Sequence, residues 1–196
     1  MMPTRRLFLV GGTSMMALTL AGCFAATPPL TYDLVSGSVG PVRRATGRTV
    51  VITEPEAVQT YDSARVVVRQ AGNLLAYLPE AQLSDTLPRL LQTRLLQTFE
   101  ASNFPNIGRP DDQLAVDVTL ATEIREFEIY VGETTEARVV INAKLVDENR
   151  RQIFANRSFS SARPATVEPA PAAIAALDAT LQQVMAEILQ WTARNA

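Results

Sequence analysis

One side chain in this sequence offers chemistry that no other residue can share: Cys23, the only cysteine. It follows Leu20, Ala21 and Gly22, and two small residues ahead of a thiol suit a narrow peptidase site. The thiolate is a nucleophile that can take up a covalent group, and without a second cysteine it forms no disulfide within the chain. Other reactive constellations find little support. The 196 residues include no histidine, which removes imidazole acid–base catalysis, histidine metal ligands and Cys2His2 zinc. Lys144 is the only lysine among 18 basic residues, so a Schiff base or a Ser–Lys dyad would rest on it alone. No glycine run precedes it to cradle a phosphate. Ser160-Ser161 lacks both a histidine and the Gly-x-Ser-x-Gly elbow of a hydrolase. Asp111-Asp112 and the string Glu123, Glu126, Glu128, Glu133 and Glu136 leave two readings open: a cation or partner patch, or a solvated strand face and hairpin tip. Paired carboxylates alone do not make a glycosidase when aromatics are 6% of the chain. A net charge of −2 and a pI of about 5.3 provide no basic field for nucleic acid.

The segments around Cys23 fit its chemistry. Arg5 and Arg6 make a positive start, and no residue from Leu7 to Gly22 is charged. That stretch is shorter than the about 20 apolar residues of a spanning helix, so it reads as the apolar region of a signal peptide over 1–22. Leu20-Ala21-Gly22-Cys23 resembles the bacterial lipobox. The resemblance to bacterial lipoproteins implies cleavage before Cys23, a diacylglyceryl group on its sulfur, and an acyl chain such as palmitate on its new amine. One acyl chain holds a protein only marginally, at about 0.8 kcal/mol per buried methylene, whereas a triacylated cysteine anchors lastingly. Thr4-Arg5-Arg6-Leu7-Phe8-Leu9 also looks like a twin-arginine export motif, and the twin-arginine and Sec routes both stay open. Phe24 stands where Asp would be the usual inner-membrane retention signal, which points to the outer membrane over the inner one. Residues 23–29 then form a lipidated tether, kept extended by Pro28 and Pro29.

Residues 30–196 read as one α/β domain. Strands are expected at Thr31–Val35, with Tyr32 and Leu34 inward, at Thr49–Thr53, which is β-branched throughout, and at Arg65–Gln70. Gly72-Asn73 turns the chain into a hairpin partner, Leu74–Leu78. Ser84-Asp85 opens a helix whose stripe is Leu87, Leu90, Leu91, Leu95 and Phe99, with Pro88 in its first turn. Alternation of Leu114, Val116, Val118 and Leu120 predicts a half-buried strand. Its phase slips before Phe127 and Ile129, which predicts a bulge near Arg125-Glu126. Turns at Gly132-Glu133-Thr134 and Asp147–Arg150 separate this strand from Ala137–Val146 and Ile153–Phe159, an antiparallel meander. A crossing loop over Arg163–Pro171 leads to a helix over Ala172–Trp191, whose apolar face is Ile174, Leu177, Leu181, Val184, Ile188 and Trp191. Trp191 either plugs the core or faces a partner.

The body is similar to a known family. Tyr32-Asp33-Leu34 lies soon after Cys23. It is followed by Val50-Val51-Ile52-Thr53-Glu54-Pro55, then Tyr61 to Arg69, Asn73 to Tyr77, and Leu83 to Leu91. In this order, with the meander and last helix, these segments resemble the auxiliary lipoproteins of ABC-type transport systems, the PqiC-like family. Leu83 departs from the tryptophan usual at its position, though both fill an apolar pocket. The resemblance implies a single-domain α/β sandwich with a mixed, mostly antiparallel sheet and two main helices. It also implies a non-enzymatic, periplasm-facing part without a cofactor, partnered by an MCE-domain protein, an ABC permease and an ATPase in intermembrane lipid transport. Its role there would be to dock that assembly at the outer membrane. Whether it forms a homo-oligomer stays open. The alternatives are a lipoprotein regulating cell-envelope assembly and a lipid-binding carrier, the latter requiring a closed apolar cavity.

Overall fold

The computed structural model describes residues 28–37, 40–42 and 47–196. In chain order the elements are β1 (Leu30–Tyr32), β2 (Val50–Ile52), β3 (Glu56–Ala57), β4 (Val67–Gln70), β5 (Leu74–Tyr77), β6 (Ala81–Leu83), α1 (Leu87–Ala101), β7 (Ile107–Gly108), β8 (Val118–Val131), β9 (Thr135–Asp147), β10 (Gln152–Pro164) and α2 (Ala170–Asn195).

β8 is the spine of the main sheet. One of its edges carries β9 antiparallel along nearly its whole length. Its other edge carries three short parallel strands in succession: β2 at Val118–Leu120, β3 at Glu123-Ile124 and β4 at Glu128–Val131. β7 extends the sheet beyond β2, β5 beyond β4, and β10 beyond β9. The long pairings are antiparallel, so the sheet is mixed but mostly antiparallel, and it does not close. β1 and β6 form a separate two-stranded parallel sheet.

These strands follow from local chemistry. Val50, Val51 and Ile52 are fully buried, as a β-branched run between two parallel neighbours requires. Gly72 and Asn73 both adopt positive φ, at 79° and 64°, and turn β4 into β5. The register of β8 against β9 shifts between Ile124 and Glu126, at the place where the hydrophobic phase slips. In β9 every second residue from Ala137 to Leu145 is buried, so one face of the sheet meets the helices.

α1 and α2 cover that face and touch each other. α1 starts at Leu87 rather than at Ser84, because Leu83 is taken by β6 and the Ser84 N–H donates to the Tyr32 carbonyl at 2.8 Å. Pro88 sits in its first turn, where no amide partner is needed. Beyond the helix end, Asn103 takes a positive φ of 56° and Phe104 folds back onto Phe99, with ring centroids 5.1 Å apart. α2 is longer than its apolar stripe predicts. Its first turn tolerates Pro171, and at its end Asn195 Nδ2 donates to the Trp191 carbonyl at 2.7 Å. By length and composition α2 could cross a membrane, yet half of that apolar window is buried inside the domain. Trp191 is a core residue, edge-on to Phe159 at 5.6 Å.

Three further readings of the sequence differ from the structure. Leu114 is exposed and Val116 half-buried ahead of β8, because the chain there is still turning through Pro110–Gln113. β1 is only Leu30–Tyr32, although Leu34 is buried as expected. β10 runs on to Pro164, so the crossing loop is shorter. The strands β3, β6 and β7 have no counterpart in the sequence reading, since two or three residues are too few to show a period.

Candidate functional site

Arg5, Arg6, Leu20, Ala21, Gly22 and Cys23 lie outside the described residues, as does the tether except Pro28 and Pro29. The segment that follows the tether is built to hold. From Leu30 to Gly37 the chain runs as a strap across both helices. The Leu30 N–H donates to the Glu80 carbonyl at 2.8 Å, and β1 zips onto β6. Asp33 then takes three hydrogen bonds: from Arg94 Nη2 of α1 at 2.5 Å, from Ser84 Oγ at 3.2 Å and from the Leu34 amide at 2.9 Å. The Arg94 guanidinium holds the Asp33 carboxyl below the ordinary carboxylate range. Leu34 drops into the core. The Val35 N–H donates to Asp178 Oδ1 of α2 at 2.8 Å, and the Gly37 N–H to Thr98 Oγ1 of α1 at 3.0 Å. Gln182 Nε2 braces Asp178 from the next turn, at 2.7 Å.

Beside the start of the strap is an open groove of about 700 Å³ lined by Leu30, Tyr32, Pro79, Val167, Pro169 and Pro171 among others. Leu30 is 63% exposed on its rim. From Cys23 to Leu30 an extended chain reaches at most about 25 Å. Wherever position 23 is fixed, this end of the domain stays close to it.

A second polar cluster lies in the interior. Glu128 of β8, 1% exposed, accepts from Tyr61 Oη at 2.5 Å and from Arg69 Nε of β4 at 2.7 Å. Arg69 Nη2 also donates to Tyr61 Oη at 3.0 Å. Burial first, and then the Glu128 carboxylate, push the Tyr61 hydroxyl up to about 12. The same carboxylate strengthens the hold of Arg69 on its proton. The three side chains satisfy one another, which marks a structural knot. It pins the loop from Val58 to Val66 to the spine strand. That loop in turn accepts the Leu83 amide at Ala64 O, at 2.7 Å, and the Leu87 amide at Ser63 O, at 3.1 Å. The knot therefore joins the main sheet to β6 and to the first turn of α1.

The sequence reading leaves Glu128 either in a cation or partner patch or on a solvated face, and the structure instead buries it. The one available signal is its position between Phe127 and Ile129, beyond the bulge, in the best-covered part of β8. Its neighbours in that string are at least partly exposed. Asp112 serves locally: its Oδ2 accepts the Arg109 amide at 2.6 Å. No group of three or more Asp, Glu or Cys side chains able to hold a metal occurs among the described residues. Lys144 lies within β9 and Ser160-Ser161 within β10, all on regular strand backbone.

With this geometry in place, the comparisons with known proteins fall into line. The family described as ABC-type transport auxiliary lipoprotein component matches residues 32–189. An uncharacterised protein of Bradyrhizobium diazoefficiens is 29% identical over 175 residues, covering 88% of this chain and 47% of its own length. The chain thus spans about half the length of that curated relative. A Xanthomonas campestris protein of the DUF330 family has a similar crystal structure, with 25% identity, a TM-score of 0.75, and coverage of 84% of this chain and 95% of that one. The PelC dodecamer of Paraburkholderia phytofirmans, 12% identical with a TM-score of 0.50, covers 78% of this chain and 92% of that one and shares the fold alone.

Proposed function

The chain belongs to the family of ABC-type transport auxiliary lipoprotein components, and from that premise we propose that it is the membrane-anchored docking adaptor of an MCE-type intermembrane lipid transport system. The family makes it an envelope lipoprotein and an accessory to ABC transport, not a member of a known enzyme family. In the finer reading, Arg5 and Arg6 direct export and the lipobox Leu20-Ala21-Gly22 presents Cys23 for acylation. The acyl chains then hold the domain at the periplasmic face of the outer membrane. An MCE-domain protein, with its permease and ATPase in the other membrane, is the partner it docks. The work is positional and no reaction is catalysed.

The observation that carries this reading is the strap. A domain tethered at Cys23 feels any pull through Leu30–Gly37. That segment delivers the pull to α1 through Arg94 and Thr98, and to α2 through Asp178. The carrier alternative is disfavoured by a core filled with Phe99, Phe159, Leu95, Leu145 and Leu181, and by grooves that open to solvent.

The test is fractionation followed by co-purification. Mass spectrometry of the exported wild-type protein should find position 23 acylated, and Cys23→Ala should leave the outer-membrane fraction. The wild-type protein, extracted in detergent, should bring down the MCE-domain protein. An unmodified Cys23 sinks the anchor. Recovery of cell-wall synthases in place of an MCE protein sinks the adaptor role and favours the envelope-assembly alternative.

A further inference from the structure

We propose that the open edge of β10, with the stripe of α2 beside it, is a docking surface for an extended protein segment bearing carboxylates, which adds to the sheet as one more strand. β10 pairs with β9 on one side only, so its other side offers unpaired backbone amides and carbonyls along 13 residues. Between that edge and α2 lies an open groove of about 510 Å³. Phe159 and Ala186 give it apolar lining, and Arg157, Glu187, Gln190 and Arg194 polar and charged lining.

The charge of this surface is uneven. Six arginines elsewhere pair with carboxylates. Among the described residues seven arginines have no such partner, and three of them, Arg157, Arg163 and Arg194, lie together on β10 and α2, the others being Arg65, Arg109, Arg150 and Arg151. Arg157 stacks toward the Phe159 ring at 5.0 Å, and Arg163 Nη2 donates to Gln183 Oε1 at 3.1 Å. Arg157, Phe159 and Arg163 share one face of β10, the face turned to α2. A strand added about 4.8 Å beyond β10 would lay its alternate side chains along that same face, over the groove. Carboxylates opposite Arg157 and Arg163 would then stand six residues apart, about 20 Å along the strand. Unpaired arginines on an edge also select against the wrong occupant. In antiparallel self-pairing centred on Ser160, Arg157 would face Arg163 of a second copy, and like charges directly opposite repel.

The groove occupies the half of α2 from Gln183 to Arg194, about 20–36 Å along the helix from its start beside Leu30. With the chain anchored at Cys23, that is the half away from the bilayer, which favours a protein segment arriving across the periplasm over a lipid headgroup. The inference rests on the adaptor reading only for who supplies the segment.

The test uses the full mature lipoprotein in detergent and a fluorescent peptide of about ten residues alternating glutamate and threonine, long enough to span both arginines. It should bind at low salt. A peptide of the same composition with its glutamates in one block should bind about tenfold more weakly, and an alternating lysine–threonine peptide should not bind. Arg157→Glu with Arg163→Glu should abolish binding, whereas Arg125→Glu on β8 should leave it unchanged. Glu187→Gln removes the one acid of the groove and should tighten binding about threefold, a gain that misfolding cannot imitate. The surface is overturned by any of four results: no binding of the alternating acidic peptide, equal binding of the block peptide, indifference to the arginine and Glu187 changes, or stronger capture of phosphatidylglycerol vesicles through the same arginines. Peptide binding without co-purified MCE protein would sink the adaptor reading alone. Co-purification without peptide binding would sink this surface alone.

Discussion

Two arginine–carboxylate pairs lie where an irregular segment meets the body of this domain, and their carboxylates sit in opposite surroundings. Glu128, under the loop from Val58 to Val66, has its side chain 2% exposed, and its partner Arg69 is 26% exposed. Arg94–Asp33 fastens the strap, with the aspartate side chain 58% exposed and the arginine 15%. The contacts are of similar length, so Coulomb geometry does not separate them. Solvent does. A buried carboxylate holds its donors where water does not replace it, while water takes over much of the work of an exposed one. The knot therefore enforces one placement of its loop, and the clasp only favours one placement of its strap. A strap that lies between a membrane anchor and a docking domain can yield locally while the sheet behind it stays fixed.

The sharpest way to break this comparison is to remove the buried acid. Glu128→Ala strands Arg69 and frees the Tyr61 hydroxyl, and should lower the unfolding free energy by about 3–5 kcal/mol in urea titration. A loss below about 1 kcal/mol would show that water reaches the knot and that the two pairs are alike. Tyr61→Phe is milder. It keeps the ring and the ion pair but leaves Glu128 Oε2 without its donor, so the cost should be about 1–3 kcal/mol.

Alkaline titration probes the same hydroxyl without a mutation. The folded state holds the Tyr61 proton up to about 12, against an ordinary value of 10.0. Between those values the unfolded chain has released a proton that the folded chain keeps, so stability falls as pH rises. The contribution is intact below 10 and lost through 12. Tyr61→Phe should flatten that part of the pH–stability curve. An unchanged slope in the variant would place the alkaline sensitivity elsewhere.

The contrast also explains what was legible in the sequence. Long elements announce themselves through their own residues. The stripe from Leu87 to Phe99, the α2 face from Ile174 to Trp191 and the phase slip at Arg125-Glu126 all needed only neighbours in sequence. One α/β domain with two helices followed from them, and the sandwich from the family resemblance. β3, β6 and β7 were hidden because each exists only where the edge of a distant strand selects it. The knot was hidden for the same reason: Tyr61 and Glu128 meet across 67 residues, and no local pattern records that an acid will be covered by a loop. Leu34 read correctly as an inward residue, but its clasp did not, since Arg94, Thr98 and Asp178 lie far along the chain. The unpaired arginines of β10 were visible as residues and silent as a surface until β10 proved to be an edge.

The smallest effect belongs to the clasp. Asp33→Asn keeps the shape, but it loses the charge and one acceptor: with its oxygen toward the Leu34 amide and Ser84, its amide nitrogen faces Arg94 and cannot accept from it. Because the carboxyl stands mostly in water, the cost should stay below about 1 kcal/mol near neutral pH. Its pH signature has the opposite sign to that of Tyr61. Arg94 lowers the Asp33 carboxyl in the folded state, so the stabilisation is present above the ordinary value of 3.8 and is lost as pH falls through the lower folded value. Hydrogen exchange reads the consequence directly. In Asp33→Asn the amides of Leu34, Val35 and Gly37 should exchange faster, while those of β8 beside Glu128 should not change. Faster exchange spreading into β8 would mean that strap and spine open together, and the anchor would then pull on the whole sheet rather than on a segment that can give way.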